Sequence, residues 1–403
     1  MKINRLQIVV VILTGLVLLG SFRSNKRKPY KNYVVVVSLD AFRWDYHTIY
    51  KTPNLDKLSS DGVKADRMIS SFPTITFPNH FSIATGLYPD HHGLISNSFS
   101  APDLGLFYRM GDRSAVENPA FYKGEPFWVT AGKQGAITGS FFWVGSEALH
   151  PTLWKRYDEK VAFGDRIDTV VKWLAYPKEK RPELVTLYFE EPDATSHSFG
   201  PVSKETGSMV EKLDSLIGVL RLKLAALPDA KKINLIVLSD HGMAPISSSR
   251  YINIKAIVPQ RMIASLSGGN PVYLLNPAEG KRDSILNLLN SVKGMHAWKK
   301  SELPERWHYG TNERIPEIVV VADSSWSIGT RAEGPGKKGG AHGYDNQNSD
   351  MFSIFYAAGP AFRKNYSFHE LNNVDVYNLV CKILDLKPAK NDGVPEHINK
   401  LLK

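Results

Sequence analysis

Continuous apolar runs alternate with apolar stripes at helical spacing along most of this chain. The first run, Tyr33–Leu39, is rich in β-branched residues, which is typical of a parallel strand buried on both faces. A helical stripe runs from Val210 to Leu224. Further strands are predicted at Ala136–Trp143, Leu184–Phe189, Ile233–Ser239, Glu317–Ala322 and Met351–Ala358. The alternation predicts an α/β fold, a mostly parallel sheet with helices on both faces.

The pattern changes between residues 247 and 334. Two shorter strand signals, Met262–Leu266 and Val272–Leu275, precede a helix predicted at Arg282–Val292. We therefore predict a small inserted α+β subdomain at 247–334, which separates a first catalytic part (32–246) from a second (335–390). The glycine-rich return at Gly334–Gly343 lacks the spacing of a phosphate-binding loop.

The N-terminus differs from the rest of the chain in charge and hydropathy. An apolar stretch, Leu6–Gly20, follows basic residues, so 1–24 is predicted to be a signal peptide or a membrane anchor. We expect an exported protein, periplasmic or extracellular, or one anchored to the membrane only by this segment. Residues 1–31 hold seven bases and no acid, so they carry most of the net charge of +10, and the rest of the chain is at about +3. Specific nucleic-acid binding is therefore not expected.

Six potential metal ligands lie in four stretches, and three of them follow predicted strands. Open parallel sheets bind ligands outside the carboxyl ends of their strands. The ligands are Asp40, Asp193, His197, Asp240, His241 and His342. Asp193 and His197 are four residues apart, so on one helical turn they would share a face and could chelate one ion. Mixed carboxylate and imidazole ligands suit zinc, although manganese and iron also bind such sets.

Thr76, in Thr-Phe-Pro-Asn-His, is the predicted nucleophile. A loop feeds a helix at this point, and Thr76 is well placed as its N-cap, with Pro78 in the first turn. A helix N-terminus favours negative charge. A metal bound to the hydroxyl would lower its pKa and make an alkoxide available near neutral pH.

These motifs, in this order, resemble the nucleotide pyrophosphatase/phosphodiesterases of the alkaline phosphatase superfamily. The likeness covers about residues 32–385 and includes Thr-Gly-Leu-Tyr-Pro and Gly-xx-His342-Gly-Tyr. It implies a two-zinc site, in which Asp193, His197 and His342 hold one ion. Asp40, Asp240 and His241 would hold the other, with Thr76 as a further ligand. It also implies a phosphothreonine intermediate and an Asn97 side chain that donates to a phosphate oxygen.

The same resemblance implies where a substrate binds. Phe77 follows the nucleophile, and Tyr157 and Trp143 align with the pocket aromatics of the family. Aromatic faces stack on nucleobases with little base preference. We therefore expect a nucleotide diester or pyrophosphate as substrate and a nucleoside 5′-monophosphate as product.

Other functions stay open at this point. One is a phosphodiesterase of the same superfamily that acts on lipid or choline head groups, in which an aromatic cage would bind the quaternary ammonium. Another is a phosphomonoesterase, although no extra cationic residue beside Asn97 is evident. A sulfatase would need a modified Cys or Ser at position 76. The last is an inactive, membrane-anchored binding protein. The oligomeric state is not predicted.

Overall fold

The computed structural model describes residues 30–334 and 339–403. Residues 31–403 form one compact unit. The predicted signal peptide or anchor at 1–24 lies outside the described residues. Within the described ranges, no helix combines the length and the apolar character needed to cross a membrane. The boundaries at 32–246, 247–334 and 335–390 stay predictions.

Eighteen strands occur in the described part of the chain. They are β1 (Tyr33–Leu39), β2 (Val63–Ile69), β3 (Ser98–Ala101), β4 (Leu106–Arg109), β5 (Thr138–Phe141), β6 (Leu153–Lys155), β7 (Leu184–Phe189), β8 (Ile233–Leu238), β9 (Ala244–Ile246), β10 (Tyr251–Asn253), β11 (Ile263–Gly269), β12 (Val272–Pro277), β13 (Met295–Lys299), β14 (Ile318–Ala322), β15 (Ser327–Gly329), β16 (Gly339–Ala341), β17 (Phe355–Ala358) and β18 (Tyr366–Asn372).

Thirteen α-helices accompany them in the same ranges. They are α1 (Tyr46–Ile49), α2 (Pro53–Asp61), α3 (Thr76–Thr85), α4 (Pro89–His92), α5 (Arg113–Val116), α6 (Phe127–Lys133), α7 (Phe163–Leu174), α8 (Asp193–Phe199), α9 (Lys204–Ala225), α10 (Ile254–Ile257), α11 (Arg282–Asn290), α12 (Asp375–Ile383) and α13 (Pro395–Asn399).

The central sheet has eight strands in the order β18-β2-β17-β8-β1-β7-β5-β6. All its strand pairs are parallel except the two made by β17, which runs antiparallel to β8 and to β2. Every residue of β1 and β7 is buried, as expected from their predominantly apolar sequences. The prediction of an α/β fold with a mostly parallel sheet is confirmed.

A second, antiparallel sheet has the order β11-β12-β14-β13, and all its strands fall between residues 263 and 322. Its residues form a separate core cluster with α11, through Leu275, Ile285 and Val320. A two-stranded ribbon pairs β9 with β16 in antiparallel register. This ribbon matters for the site because it joins the segment after β8 to the segment before His342.

Strand ends differ from the predicted ends by a few residues. The predicted strand Ala136–Trp143 is shortened to β5 (Thr138–Phe141), because Phe142 adopts a left-handed backbone with φ of 73°. The predicted strand Met351–Ala358 begins only at Phe355, because Ser349–Met351 form a 3₁₀ turn. The bounds of β1 and β7 are those predicted.

Candidate metal centre and nucleophile

The carboxyl ends of three adjacent strands bring three aspartates together. The strand β1 lies between β8 and β7, and all three run parallel. Asp40 directly follows β1, and Asp240 comes two residues after β8. Asp193 begins α8, four residues after β7. Residues distant in sequence therefore meet at one edge of the sheet, where such folds bind ligands.

The β9–β16 ribbon delivers the sixth predicted ligand. In its register Ala341 pairs with Ala244, so that His342 and His241 come side by side. Their rings stack with centroids 3.8 Å apart. His342 also lies near His197, with ring centroids 5.0 Å apart. All six predicted ligands thus meet in one place.

The three histidines share one tautomer. The Nδ1 atoms of His197, His241 and His342 lie 2.8–3.0 Å from the backbone carbonyl oxygens of Gly340, Gly242 and Thr74, respectively. A carbonyl oxygen can only accept, so each Nδ1 carries the proton and donates. When such a ring is neutral, its Nε2 presents the lone pair, as is common for histidines that bind metals.

These lone pairs face carboxylate oxygens. His241 Nε2 lies 3.0 Å from Asp240 Oδ2 and 3.5 Å from Asp40 Oδ1. The Nε2 atoms of His197 and His342 lie 3.4 and 3.5 Å from Asp193 Oδ1.

The same three carboxylate oxygens are buried and accept no hydrogen bond from the described residues. Orphaned buried oxygens are costly unless something compensates them. A cation between the oxygens and the imidazoles would satisfy both, so this donor set fits a metal. Asp193, His197 and His342 form one compact group, and Asp40 and Asp240 belong to further groups beside it.

Mutual electrostatics shift the pKa values of these groups in opposite directions. Burial, together with the charges of Asp240 and Asp193, raises the pKa of Asp40 well above its usual range. Burial alone would lower the pKa of His241, but the adjacent negative charge of Asp240 outweighs it and raises that pKa. Burial lowers the pKa of His342 to about 3. Such divergent pKa values mark a site suited to ion binding and catalysis.

Thr76 lies beside this cluster at the start of α3. Its hydroxyl oxygen is 3.2 Å from His241 Nε2. The expectation that Thr76 is the N-cap is wrong: the N-cap is Ile75, with extended φ and ψ of −126° and 156°, and Thr76 is the first helical residue. Thr76 Oγ1 therefore does not cap its own helix, and the structure records no side-chain cap there. The hydroxyl instead points toward the ligand set, at the positive end of the helix.

Asn97 contacts the backbone directly after the nucleophile. The backbone N–H of Phe77 donates to Asn97 Oδ1 over 3.0 Å. This bond fixes which end of the amide faces the helix, so that the Nδ2 donors of Asn97 point away from Phe77 N. The backbone N–H of Phe77 is engaged by this bond.

The three predicted pocket aromatics have different surroundings. Phe77 is half-buried and contacts Tyr108 edge-on, at 6.3 Å between centroids. Tyr157 is 37% exposed, and its ring meets Phe142 edge-on at 5.2 Å. Trp143 is only 1% exposed, and its indole N–H donates to the carbonyl of His80. Trp143 therefore offers almost no surface to a ligand.

Two buried residues support the cluster and were not singled out from the sequence. Tyr188 donates its hydroxyl to Asp40 Oδ2 over 2.5 Å. His80 lies 3.2 Å from Asp240 Oδ2, but its Nδ1 donates to Thr76 O and its Nε2 faces Ser38 Oγ at 2.8 Å. Both ring nitrogens of His80 are engaged, so it supports the site rather than binding an ion. In the sequence, His80 could have been linked to the site by its position four residues after Thr76, on the same helix face.

Comparison with known sequences gives one family over most of the chain. The profile of the family "Type I phosphodiesterase / nucleotide pyrophosphatase" matches residues 34–345. Venom phosphodiesterase CdcPDE of Crotalus durissus collilineatus is 37% identical over 386 residues, which cover 92% of this chain and 46% of that protein. Ectonucleotide pyrophosphatase/phosphodiesterase family member 1 of Homo sapiens is 36% identical over 390 residues, 92% of this chain and 42% of its own. The chain spans less than half the length of these curated relatives.

Comparison with solved structures points the same way. Murine ectonucleotide pyrophosphatase/phosphodiesterase 5, in an inactive variant in complex with AMP, is 34% identical. It superposes with a TM-score of 0.87 and covers 92% of this chain and 100% of its own. The human form of that protein gives a TM-score of 0.86 at 33% identity.

Proposed function

Because this chain belongs to the type I phosphodiesterase/nucleotide pyrophosphatase family, we propose that it hydrolyses nucleotide phosphodiester or pyrophosphate bonds to nucleoside 5′-monophosphates. One observation carries the proposal. Three orphaned carboxylate oxygens cluster with three imidazole rings, and the Thr76 hydroxyl lies 3.2 Å from one ring nitrogen, His241 Nε2. This donor set combines a metal-binding group with a nucleophile at a helix N-terminus, which is what phosphoryl transfer requires.

We propose zinc as the metal, in two sites. Asp193, His197 and His342 would hold one ion, and their compact grouping supports this set. The other ion would be held by Asp40, Asp240 and His241, with Thr76 Oγ1 beside it. Bound zinc supplies a lowered pKa for the threonine hydroxyl and neutralises charge on the phosphoryl oxygens.

The residues of the chain then divide the work. Thr76 Oγ1 loses its proton and forms a bond to phosphorus, while the bond from phosphorus to the leaving oxygen breaks in line. The product of this half-reaction is a phosphothreonine diester at position 76, in which the nucleoside remains attached to phosphorus through its 5′-oxygen. Attack by water on that phosphorus releases the nucleoside monophosphate and restores Thr76. Asn97, oriented through its bond from Phe77 N–H, donates from Nδ2 to an equatorial oxygen, where negative charge develops.

A nucleotide is the substrate that the surroundings favour. The solved relative described in complex with AMP shares this fold at 34% identity. Here Phe77, directly after the nucleophile, is half-buried and Tyr157 is 37% exposed, so each presents part of an aromatic ring to solvent. Each base–aromatic stack contributes about 1–3 kcal/mol. Ring faces at these positions would hold a nucleobase while the phosphorus meets Thr76.

We also propose that the protein is exported, with residues 1–24 as a signal peptide or membrane anchor. The basic and apolar pattern of that segment supports the proposal. Protease accessibility of the protein in intact cells, together with N-terminal sequencing of the mature form, tests it. Cytoplasmic protein with residues 1–24 intact would contradict it.

A substrate screen with zinc-loaded protein tests the reaction. Thymidine 5′-(p-nitrophenyl) phosphate and ATP should each yield a nucleoside 5′-monophosphate. Glycerophosphocholine and p-nitrophenyl phosphate serve as the head-group and monoester controls, and should turn over at least about ten-fold more slowly. Preferred release of choline, or preferred hydrolysis of the monoester, would refute the proposed substrate class.

Replacing Tyr157 with alanine tests the nucleobase contact. Loss of one stacking face should raise KM for thymidine 5′-(p-nitrophenyl) phosphate roughly ten-fold, because about 1–3 kcal/mol of base binding disappears. Methyl p-nitrophenyl phosphate has the same leaving group but no nucleobase, so its kcat/KM should change less than two-fold.

Trp154→Ala is the matched control for Tyr157→Ala. Trp154 is similarly exposed, at 38%, but stacks on His150 with centroids 4.3 Å apart. The Trp154→Ala substitution should leave KM unchanged for both the nucleotide and the methyl diester. Equal losses on both substrates in Tyr157→Ala would show that Tyr157 does not contact the base.

A further inference from the structure

Arg166, in the first turn of α7, is a fully buried cation with no direct contact to a predicted ligand. Its Nε donates to Val161 O over 3.0 Å, and its Nη1 donates to Tyr188 O over 3.1 Å. Both terminal nitrogens bind the carboxylate of Glu190, Nη2 over 2.8 Å. The guanidinium thus binds the end of β7 at Tyr188 and the residue directly after the strand, Glu190.

Aromatic rings enclose the same guanidinium. Its carbon lies 4.8, 5.0 and 5.9 Å from the ring centroids of Phe163, Phe142 and Phe189. A buried cation among π faces gains from each of them. The geometry also depends on the flat shape of arginine, because a lysine cannot bind a carboxylate in two places and a carbonyl at the same time.

Each partner of Arg166 leads to a different part of the site. Tyr188 donates to Asp40 Oδ2 over 2.5 Å, and the backbone N–H of Asp40 donates to Phe189 O over 3.0 Å. Glu190 lies three residues before Asp193, in the short segment between β7 and α8. Arg166 therefore fixes the backbone between a residue that orients one predicted ligand and a residue that is itself a ligand.

The aromatic side leads to the predicted base contact. Phe142 has a left-handed backbone and lies beneath the guanidinium, and its ring meets Tyr157 edge-on at 5.2 Å. Tyr157 is the more exposed of these rings. Arg166 thus contacts Tyr188 and Glu190, which lead to the ligands, and also Phe142, on which the Tyr157 ring packs.

We infer that Arg166 is a positioning residue that sets the metal-ligand segment 188–193 and the Tyr157 ring in one relative geometry. This inference rests on the proposed function, because it assigns Arg166 a role in that reaction. Residues that orient ligands in this way commonly contribute 10- to 100-fold to metal affinity or activity. A purely structural arginine would affect stability alone.

Arg166→Lys is the test, with Arg181→Lys as its matched control. Arg181 is also buried, pairs with Asp229, donates to Tyr176 O over 2.9 Å and lies over the ring of Tyr33. Tyr33 begins β1, so Arg181 lies at the end of the sheet opposite to Asp40. The two variants therefore remove the same kind of interaction, near the site and far from it. Glu190→Gln, a milder change to the same contact, covers the case in which Arg166→Lys fails to fold.

Three measurements distinguish a positioning role from a purely structural one. They are the zinc retained per chain against a competing chelator, the thermal midpoint of unfolding, and kcat and KM for thymidine 5′-(p-nitrophenyl) phosphate and methyl p-nitrophenyl phosphate. We expect Arg166→Lys to weaken zinc retention about ten-fold or more. Its KM should rise more for the nucleotide than for the methyl diester, and Glu190→Gln should change both quantities in the same direction. Arg181→Lys should lower the thermal midpoint only.

Unchanged zinc retention and KM in both Arg166→Lys and Glu190→Gln would overturn the inference, as would equal changes in Arg181→Lys. Wild-type protein that binds zinc but cleaves neither diester would refute the proposed function instead. In that case, zinc retention in Arg166→Lys and Arg181→Lys would still test whether Arg166 positions the metal ligands.

Discussion

Replacing Thr76 with alanine is expected to lower kcat for thymidine 5′-(p-nitrophenyl) phosphate by roughly 10⁴- to 10⁶-fold, as loss of a covalent nucleophile does in other enzymes. The structural reason is that Thr76 Oγ1 is the hydroxyl that lies 3.2 Å from His241 Nε2, at the positive end of α3. Steady-state kinetics and acid-quench detection of covalently labelled protein measure the effect. Wild-type protein should give an acid-stable thymidine 5′-phosphoryl group on Thr76, and the variant should give none.

Two variants control the Thr76 experiment. Thr76→Ser keeps a hydroxyl at the same atom and should retain activity within about 100-fold of wild type. Thr85→Ala removes a hydroxyl at the other end of the same helix, where it donates to Phe81 O, and should keep kcat within about two-fold. Diesterase activity that survives Thr76→Ala would show that water attacks phosphorus directly.

Removal of metal is expected to abolish turnover and to lower the thermal midpoint. The carboxylates of Asp40, Asp193 and Asp240 stand close together, and each has one buried oxygen without a hydrogen bond from the described residues. Ligand binding to the folded state contributes about 2.7 kcal/mol at a concentration of 100 Kd. Calorimetry of dialysed protein before and after zinc addition should therefore show a higher midpoint with zinc, and activity should return in parallel.

The pH dependence of zinc binding has a predictable sign. Burial alone would lower the pKa of His197, but the adjacent Asp193 carboxylate raises it, and the pKa of His241 is raised as well. Protons therefore stay on these rings to higher pH and compete with the ion, so affinity should increase as pH rises through their pKa values. Magnesium, which prefers an octahedral oxygen shell, is the control ion and should restore less activity than zinc. Full activity in dialysed, chelator-treated protein would contradict metal dependence.

Much of the fold could be read from local pattern. The strands β1 and β7 have the predicted bounds, because short runs rich in aliphatic, β-branched and aromatic residues favour a buried strand. The aspartates after these strands could be placed at one sheet edge, because parallel strands share the direction of their carboxyl ends. The ends of β5 and β17 could not be predicted, since a left-handed Phe142 and a 3₁₀ turn depend on tertiary contacts.

The sequence by itself determined the chemistry of this protein: the residue types, their order and the family to which they point. Only the tertiary structure decided which atoms meet. It placed Thr76 one residue inside its helix rather than at the cap, and it buried Trp143, which the sequence favoured as a substrate contact. It also brought Tyr188, His80 and Arg166 behind the ligands. The reason is physical, because ligand types are encoded residue by residue, whereas support arises from contacts between segments that no local pattern specifies.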